Sequence, residues 1–361
     1  MKKKVLFLVN HDLVIYNFRL EIVEAMLKKG YEVHISSPYG DRIDELTKIG
    51  AIFHDIKINR HGINPIKEIA ILSNYKKLLK EIKPDIIFGF TIKPNIYGAI
   101  ASRKHRIPFV ANITGLGTAT ENVGITQKII ISMYKYAFRD VEKVFFQNES
   151  NQNFFLEHNI IKGNYDLLPG SGVNLERYPY REYPKGKTIK FAFISRIMKE
   201  KGIDYYLEAA EKIKKEYPNT EFHICGFCEQ DYEDKLKEYQ GKGIIIYHGM
   251  IKDVAGFMAK MHCIVHPTYY PEGMSNVLLE ACATGRPIIT TNIPGCKEIV
   301  NDNVNGFIIQ KENVEELEQK IKKFILLKQS ARIKLGSQAR QTVENSFDRK
   351  IVIKKYMELL T

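Results

Sequence analysis

Two carboxylates and two cations are the residues of this chain best placed to do chemistry. Glu272 and Glu280 stand eight apart in Pro-Glu-Gly-Met-Ser-Asn-Val-Leu-Leu-Glu-Ala-Cys-Ala-Thr-Gly-Arg-Pro, residues 271–287. An apolar run ending at Val265, His266 and Pro267 reads as a buried strand, and beyond it Val277, Leu278, Ala281 and Cys282 recur on one helical face. Ser275 or Asn276 is suited to cap that helix, Gly285 to end it, and Pro287 to open the next strand. The spacing therefore puts Glu272 in the loop before a helix N-terminus and Glu280 one to two turns inside it. A helix start after a strand offers free N–H groups and the positive end of a dipole, which suits phosphate or sugar oxygens. Gly273 lets the backbone come close to a ligand. Arg196 and Lys201 lie five apart in Ser195-Arg-Ile-Met-Lys-Glu-Lys-Gly202, at another strand–helix junction. Two cations beside a helix start can hold a diphosphate, Arg through paired donors and Lys as a point charge. Taken singly, the glutamates also fit a solvated helix face and the cations a solvated basic turn.

The elements that would carry these groups alternate strand with helix. Lys4–Val9, Tyr31–Ser36, Ala51–Ile56, Pro84–Phe90, Phe109–Ile113, Val144–Gln147 and Tyr165–Leu168 read as strands. Phe18–Lys28, Arg42–Ile49, Ile63–Ile82, Ile96–Arg103, Gln127–Phe138 and Ser150–Glu157 read as helices. Near-continuous apolar strands alternating with helices predict a parallel sheet covered on both faces. A turn-rich stretch, Pro169-Gly-Ser-Gly172 and then Tyr178–Gly186, marks a boundary, after which the pattern restarts at Ile189–Ser195. The chain is longer than one core usually holds, so we expect an N-terminal domain over 1–170, a linker over 171–188 and a second domain over 189–349. The tail from Ser330 to Leu360 reads as helical. In such sheets the loops after strand C-termini face the ligand crevice. That places Asn10 and His11, after the first strand, and the loop 114–124, with Gly115 and Gly117, at the mouth of a cleft. Neither loop carries the full glycine fingerprint of a dinucleotide site, which disfavours NAD.

Composition narrows the partners. With 44% hydrophobic and 27% charged residues the chain reads as soluble and globular. Its first ten residues turn polar too soon for a signal peptide, and no stretch has transmembrane length. Five cysteines, an odd count, argue against a disulfide framework, and Cys225-Gly-Phe-Cys228 lacks the second pair a zinc site needs, so two reduced, partly buried thiols are expected. The formal charge of +12 is concentrated in the N-terminal half. No nucleic-acid-binding signature accompanies it, so an anionic membrane surface or a diphosphate substrate is the expected partner, with a merely lysine-rich composition as the alternative. Gln127–Phe138 pairs apolar Ile129, Ile130, Met133 and Tyr134 with basic Lys128, Lys135 and Arg139. It reads first as a core-packed helix, second as a membrane-surface one.

Glu272 to Glu280 in the setting Pro-Glu-Gly-Met-Ser-Asn…Gly-Arg-Pro-Ile-Ile, together with Arg196-x4-Lys201-Gly202, resembles the signature of the GT4 family of retaining glycosyltransferases. Gly172-Val-Asn-Leu-Glu-Arg-Tyr178 is similar to the family's interdomain segment. The resemblance implies a GT-B architecture: two Rossmann-like domains facing a central cleft, the first binding acceptor and the second nucleotide sugar, with a last helix (350–361) returning to the first. It implies that Glu272 lies by the transferred sugar and that the amides of Gly273, Met274, Ser275 and Asn276 meet sugar hydroxyls and phosphate. Glu280 would accept from the ribose hydroxyls, and Arg196 and Lys201 would grip the diphosphate. No Asp-x-Asp pair follows a strand, so no metal and no other cofactor is expected. Asn10–Arg19 and Thr114–Gly117 look like the corresponding segments of bacterial capsule, O-antigen and glycan-assembly transferases. That implies a UDP-hexose or UDP-N-acetylhexosamine donor and a polyprenyl-diphosphate-linked acceptor. Such an enzyme works at the inner face of the cytoplasmic membrane as a cytoplasmic, peripheral protein. His11 would be a base or ligand, or neither; Arg19 would meet an acceptor phosphate, or be surface charge. A sugar-nucleotide epimerase of the same fold, or a nucleotide-sugar-binding scaffold, are the alternatives.

Overall fold

The computed structural model describes residues 2–58, 65–117 and 124–360. The chain divides into two compact units, one running to Ser171 and resumed from Val352, the other Gly172–Ile351.

The first unit is built on seven strands: β1 (Lys4–Leu8), β2 (Glu32–Ser37), β3 (Ile52–Asp55), β4 (Ile86–Phe90), β5 (Phe109–Ile113), β6 (Lys143–Phe146) and β7 (Tyr165–Leu167). All pair in parallel, in the order β3-β2-β1-β4-β5-β6-β7. The second unit holds β8 (Ile189–Ile194), β9 (Thr220–Cys225), β10 (Ile246–Tyr247), β11 (Cys263–His266), β12 (Ile288–Thr291) and β13 (Gly306–Ile309). These too are parallel, in the order β10-β9-β8-β11-β12-β13. The expected α/β class is therefore met twice. Apolar residues on both faces of β1, such as Leu6 and Leu8 on one side and Val5 and Phe7 on the other, enter two separate clusters. Each sheet is thus sandwiched between helices, which is why its strands read as unbroken apolar runs.

The departures from expectation lie at helix ends. The first helix comes in two pieces, Leu13–Tyr16 and Leu20–Lys28, with Arg19 between them in a non-helical conformation. The helix expected over Ile96–Arg103 runs over Ile92–His105, since Pro94 falls in its first turn, where its missing N–H costs little. The helix expected over Ile63–Ile82 is described over Pro65–Ile82; Ile63 and Asn64 lie outside the described residues, as do residues 118–123 of the loop 114–124. The tail is not one helix but two, Gln329–Ser346 and Arg349–Glu358, broken at Phe347 and Asp348. At the break Val173 N–H donates to Phe347 O (2.8 Å) and Arg349 N–H to Val173 O (3.0 Å), bonds a continuous helix would preclude. Beyond it Val352, Tyr356 and Leu360 enter the core of the first unit, where the Tyr356 hydroxyl meets the Asn112 amide oxygen.

Candidate functional site

In the second unit the strand order reverses between β8 and β11, and the loops after those two strands carry Arg196, Lys201 and Glu272. A reversal point splays the loops apart and opens a crevice at the strand C-termini. A short 3-10 turn, Lys199–Lys201, leads to Gly202 in the left-handed region (φ +80°), from which the helix Ile203–Glu216 departs. A Cβ on Gly202 would lie 2.0 Å from the Pro267 carbonyl oxygen, so these loops touch backbone to backbone. The Tyr269 N–H donates to Glu200 O (2.9 Å) and binds them further. A third loop, after β12, closes on the second: Gly295 (φ +86°) accepts from Ser275 N–H (2.8 Å), and a Cβ there would lie 2.7 Å from that of Glu272. Ser275 is the N-cap residue of the helix Asn276–Ala283, yet its hydroxyl makes no cap bond.

The charges inside this frame are paired. Lys201, buried, forms an ion pair with Glu272, and His266 Nε2 stands 3.9 Å from the same carboxylate. Burial alone would raise the pKa of Glu272; the Lys201 ammonium and His266 outweigh it and hold the group at about 2. Arg196 pairs with Glu229 at 3.0 Å. The Tyr270 ring lies beneath both cations, 5.4 Å from the Arg196 guanidinium and 4.6 Å from the Lys201 ammonium. Glu280, on the helix, is pushed up to about 7 by burial, against the pull of the Tyr178 hydroxyl, Arg177 and Arg349. The four charged residues singled out in the sequence thus form two clusters: Arg196, Lys201 and Glu272 around Tyr270, and Glu280 beside Tyr178. Sequence reasoning missed Tyr270, Tyr178, Gly295 and the part His266 plays. A paired aromatic, Tyr269-Tyr270, directly after a strand was the available signal for the first; a Pro-Gly turn after the next strand was the signal for Gly295.

The first unit reverses strand order between β1 and β4, and there the loops hold Asn10, His11, Asp12 and Thr91. Asp12 is buried. It accepts from Leu13 N–H (2.9 Å) and Arg42 N–H (2.8 Å), and His11 Nδ1 lies 2.5 Å from its carboxylate. Thr91 has φ +66° and ψ 167°, a conformation almost confined to glycine, immediately before the helix Ile92–His105. Gly115 (φ +134°) and Gly117 (φ +67°) follow β5. Arg19 is not surface charge. It is buried, its guanidinium 5.2 Å from the Phe90 ring, donating to Phe18 O (2.7 Å) and reaching the Tyr356 hydroxyl. Among the described residues no three His, Cys, Asp or Glu are grouped to hold a metal. Both Cys225 and Cys228 are free thiols; Cys225 is fully buried rather than partly, which raises its pKa to about 12.

Two family models match the chain in tandem: Glycosyl transferase 4-like over residues 4–148 and Glycosyl transferases group 1 over residues 179–342. Among curated relatives, the N,N'-diacetylbacillosaminyl-diphospho-undecaprenol alpha-1,3-N-acetylgalactosaminyltransferase of Campylobacter jejuni is 25% identical, over 98% of this chain and 97% of its own. The capsular polysaccharide biosynthesis glycosyltransferase CapM of Staphylococcus aureus is 28% identical, over 91% and 90%. The fold recurs in a glycosyltransferase from Rickettsia africae, with TM-score 0.84 at 20% identity, covering 99% of this chain and 97% of the other. Anabaena HepE, solved with UDP and glucose, matches with TM-score 0.81 at 19% identity, covering 99% of each. With the tandem domains, the paired parallel sheets and near full-length relatives of one kind, the chain belongs to the GT4 family and is a glycosyltransferase of the GT-B fold.

Proposed function

We propose that the enzyme moves a hexose or N-acetylhexosamine, with retention, from a UDP-sugar to a polyprenyl-diphosphate-linked glycan. The observation that carries the donor half is the cluster of Arg196, Lys201, Glu272 and Tyr270 at the reversal point of the second sheet. A diphosphate entering there competes with Glu229 for Arg196 and shares the Lys201 ammonium with Glu272. Glu272 stays ionised beside the transferred sugar, and the Gly273–Asn276 backbone meets its hydroxyls and the phosphate. Glu280 accepts from the ribose hydroxyls. In the transfer, the acceptor hydroxyl oxygen bonds the anomeric carbon on the face from which the UDP oxygen leaves, and the hydroxyl proton passes to that leaving phosphate. Arg196, Lys201 and the helix start stabilise the charge that develops on UDP.

The acceptor reading is supported by two relatives named for transfer to diphospho-undecaprenol-linked sugars, the Campylobacter enzyme and an Escherichia coli alpha-1,3-galactosyltransferase. It assigns acceptor recognition to the first unit, with Asn10, His11, Gly115 and Gly117 as the residues proposed for that role, whereas Arg19, buried against Phe90 and Tyr356, supports the fold instead. It also places the enzyme peripherally on the inner face of the cytoplasmic membrane. No helix of the described residues is long and apolar enough to cross a membrane. The helix Ile125–Ala137 buries Gln127, Ile130, Tyr134 and Ala137 and leaves Ile125, Ile129 and Tyr136 exposed beside Lys128, Lys135 and Arg139. One face is core and the other is basic and apolar, the pattern of an interfacial helix.

Incubation with UDP-, GDP- and ADP-sugars and a short-chain polyprenyl-diphosphate sugar tests the whole. An α-linked product from a UDP donor is expected, with activity surviving chelator. A β-linked product, or transfer only to free sugars, would overturn the assignment.

A further inference from the structure

His266 ends β11 beside Lys201 and Glu272, and it is 2% exposed. Its backbone is fixed in the sheet, paired with Thr290 of β12, whose hydroxyl donates to the His266 carbonyl (2.9 Å). Its ring faces that of Phe193, on β8, at 6.5 Å between centroids. Yet among the described residues neither ring nitrogen has a hydrogen-bond partner. A buried imidazole left this way gives up its hydration and gains nothing in return, which calls for an explanation. The charged groups facing it are Lys201 and Glu272. One Glu272 oxygen stands 3.9 Å from Nε2, too far for a hydrogen bond, and Lys201 binds that same oxygen. The Cys296 thiol, which faces Glu272 from the loop after β12, is neutral, its pKa raised by burial. Burial, together with the Lys201 ammonium, also holds the His266 pKa below its ordinary value against the pull of Glu272. The imidazole is therefore neutral near pH 7, with one N–H to give.

Glu272 and Lys201 satisfy each other only while nothing competes. Lys201 lies over the Tyr270 ring, as Arg196 does, so a diphosphate that meets one cation there draws on both. The carboxylate then loses part of its partner in a largely enclosed place, where water is a poor replacement. Gly295 packs closely against its Cβ, so the carboxylate can turn while the base of the side chain stays put. A donor fixed on a strand, close by and unused, answers that need.

We propose that His266 is a positioning residue: its Nε2–H takes up the Glu272 carboxylate when a nucleotide diphosphate draws Lys201 away, and so keeps Glu272 beside the sugar. This rests on the donor reading above. The unmet ring nitrogen marks a carboxylate with two seats, Lys201 in the free enzyme and His266 in the loaded one.

UDP is the probe, followed by calorimetry and by nitrogen–proton imidazole spectra of the full chain labelled at histidine. The chain has ten histidines, and His266→Gln identifies the signals of this one. Saturating UDP should move the His266 Nε2–H proton downfield, as a new bond to a carboxylate requires, and Glu272→Ala should abolish the move. In binding, His266→Phe should lose about tenfold in UDP affinity, whereas His266→Gln, whose amide reaches where Nε2 does, should keep it. The loss should disappear in the Glu272→Ala background, since the donor then has nothing to hold. UDP bound with the wild-type His266 signals unmoved, or an equal cost of His266→Phe with and without Glu272, overturns the proposal and leaves the donor reading standing. A wild type that does not bind UDP overturns the donor reading and the proposal with it.

Discussion

The two units reverse strand order at the same place in their sheets, yet the loops there are built by opposite means. At β8/β11 the loops are locked by backbone contact through Gly202 and Gly295, and their interior holds opposed charges, Lys201 with Glu272 and Arg196 with Glu229. At β1/β4 the lock is a single buried carboxylate, Asp12, satisfied by backbone N–H groups and by His11, while strain collects at Thr91. The contrast suits a division of labour. A diphosphate and a ribose present the same charges and hydroxyls whatever sugar they carry, so the loops proposed to meet them can be rigid and charged. The glycan of the proposed acceptor is recognised through neutral hydroxyls, and the loops proposed to meet it carry glycine, histidine and strain instead.

Breaking the charge lock has the largest expected effect. Lys201→Ala removes the buried ammonium paired with the largely enclosed Glu272 carboxylate, and breaking such a pair costs about 3–5 kcal/mol. Asp12→Ala removes a helix cap worth about 1–2 kcal/mol. Urea unfolding should rank Lys201→Ala well above Asp12→Ala, and Lys201→Ala should also lose donor binding. Equal losses of stability would mean the two loops are locked alike. Because Glu272 is held near 2, its contribution is present above the ordinary carboxylate range and lost only as pH falls toward 2.

Glycines give the next contrast. Gly202→Ala meets both a left-handed backbone and a carbonyl 2.0 Å away, so Pro267 must move and the donor loops with it. Gly117 has the same sign of φ but nothing within 4 Å, so Gly117→Ala carries the backbone cost alone, about 1–2 kcal/mol. Calorimetry of UDP should show affinity lost in Gly202→Ala and kept in Gly117→Ala. Retained affinity in both would show that the loop contact around Pro267 is slack.

What could be read from the chain follows the same division. Strand periodicity and the helix at Asn276–Ala283 were legible because they depend on neighbours in sequence, and so was the placing of Arg196, Lys201, Glu272 and Glu280 at two strand–helix junctions. The partners were not. Tyr178 and Glu280 are about a hundred residues apart, and Gly295 supports Glu272 only because β12 pairs with β11. Arg19 was read as a helix-surface charge or a phosphate ligand. Its burial follows from the helix breaking at that residue and from Tyr356, supplied by the far end of the chain.

A third comparison finds the units alike. On β2, Glu32 and His34 join His54 of β3; on β9, Glu221 and His223 join His248 just past β10. In each pair the rings stack with nitrogens 2.9 Å apart, on equivalent strands. Burial holds His223 near 4, and His248 and His54 are lowered too, His54 also by His34. A histidine with a depressed folded pKa binds more protons when unfolded, so its stabilisation is complete above about 6.5 and lost as pH falls toward 4. Glu280, raised to about 7, works the other way, its neutral form favouring the fold at low pH. Measured in the Glu280→Gln background, stability should drop by about 2 kcal/mol from pH 7 to 5 through His223. His223→Gln should flatten that slope more than His54→Gln, since His54 is the more exposed. A slope untouched by His223→Gln would assign the acid sensitivity elsewhere.

The smallest expected effect, about 1 kcal/mol per lysine, bears on whether the two units differ in their outer surfaces as well. On the first, Lys128 and Lys135 flank exposed Ile129 and Tyr136 on the helix Ile125–Ala137. On the second, Lys320 and Lys323 of the helix Val314–Leu326 are committed: Lys320 to Asp302 (3.7 Å), Lys323 to Asn303 (2.6 Å), and both over the Phe307 ring. An anionic bilayer would draw in the first pair with its apolar neighbours and gain little from the second. Attraction of this kind fades within a Debye length, about 8 Å at physiological salt, so it should weaken as salt rises. Sedimentation with phosphatidylglycerol vesicles at low salt should carry down the wild type and release it at high salt. Charge reversal at Lys128 and Lys135 should reduce binding at least tenfold, and reversal at Lys320 and Lys323 far less. Binding that ignores salt, or falls equally with either pair, would leave the basic half as a solvated surface and make a soluble acceptor the better reading.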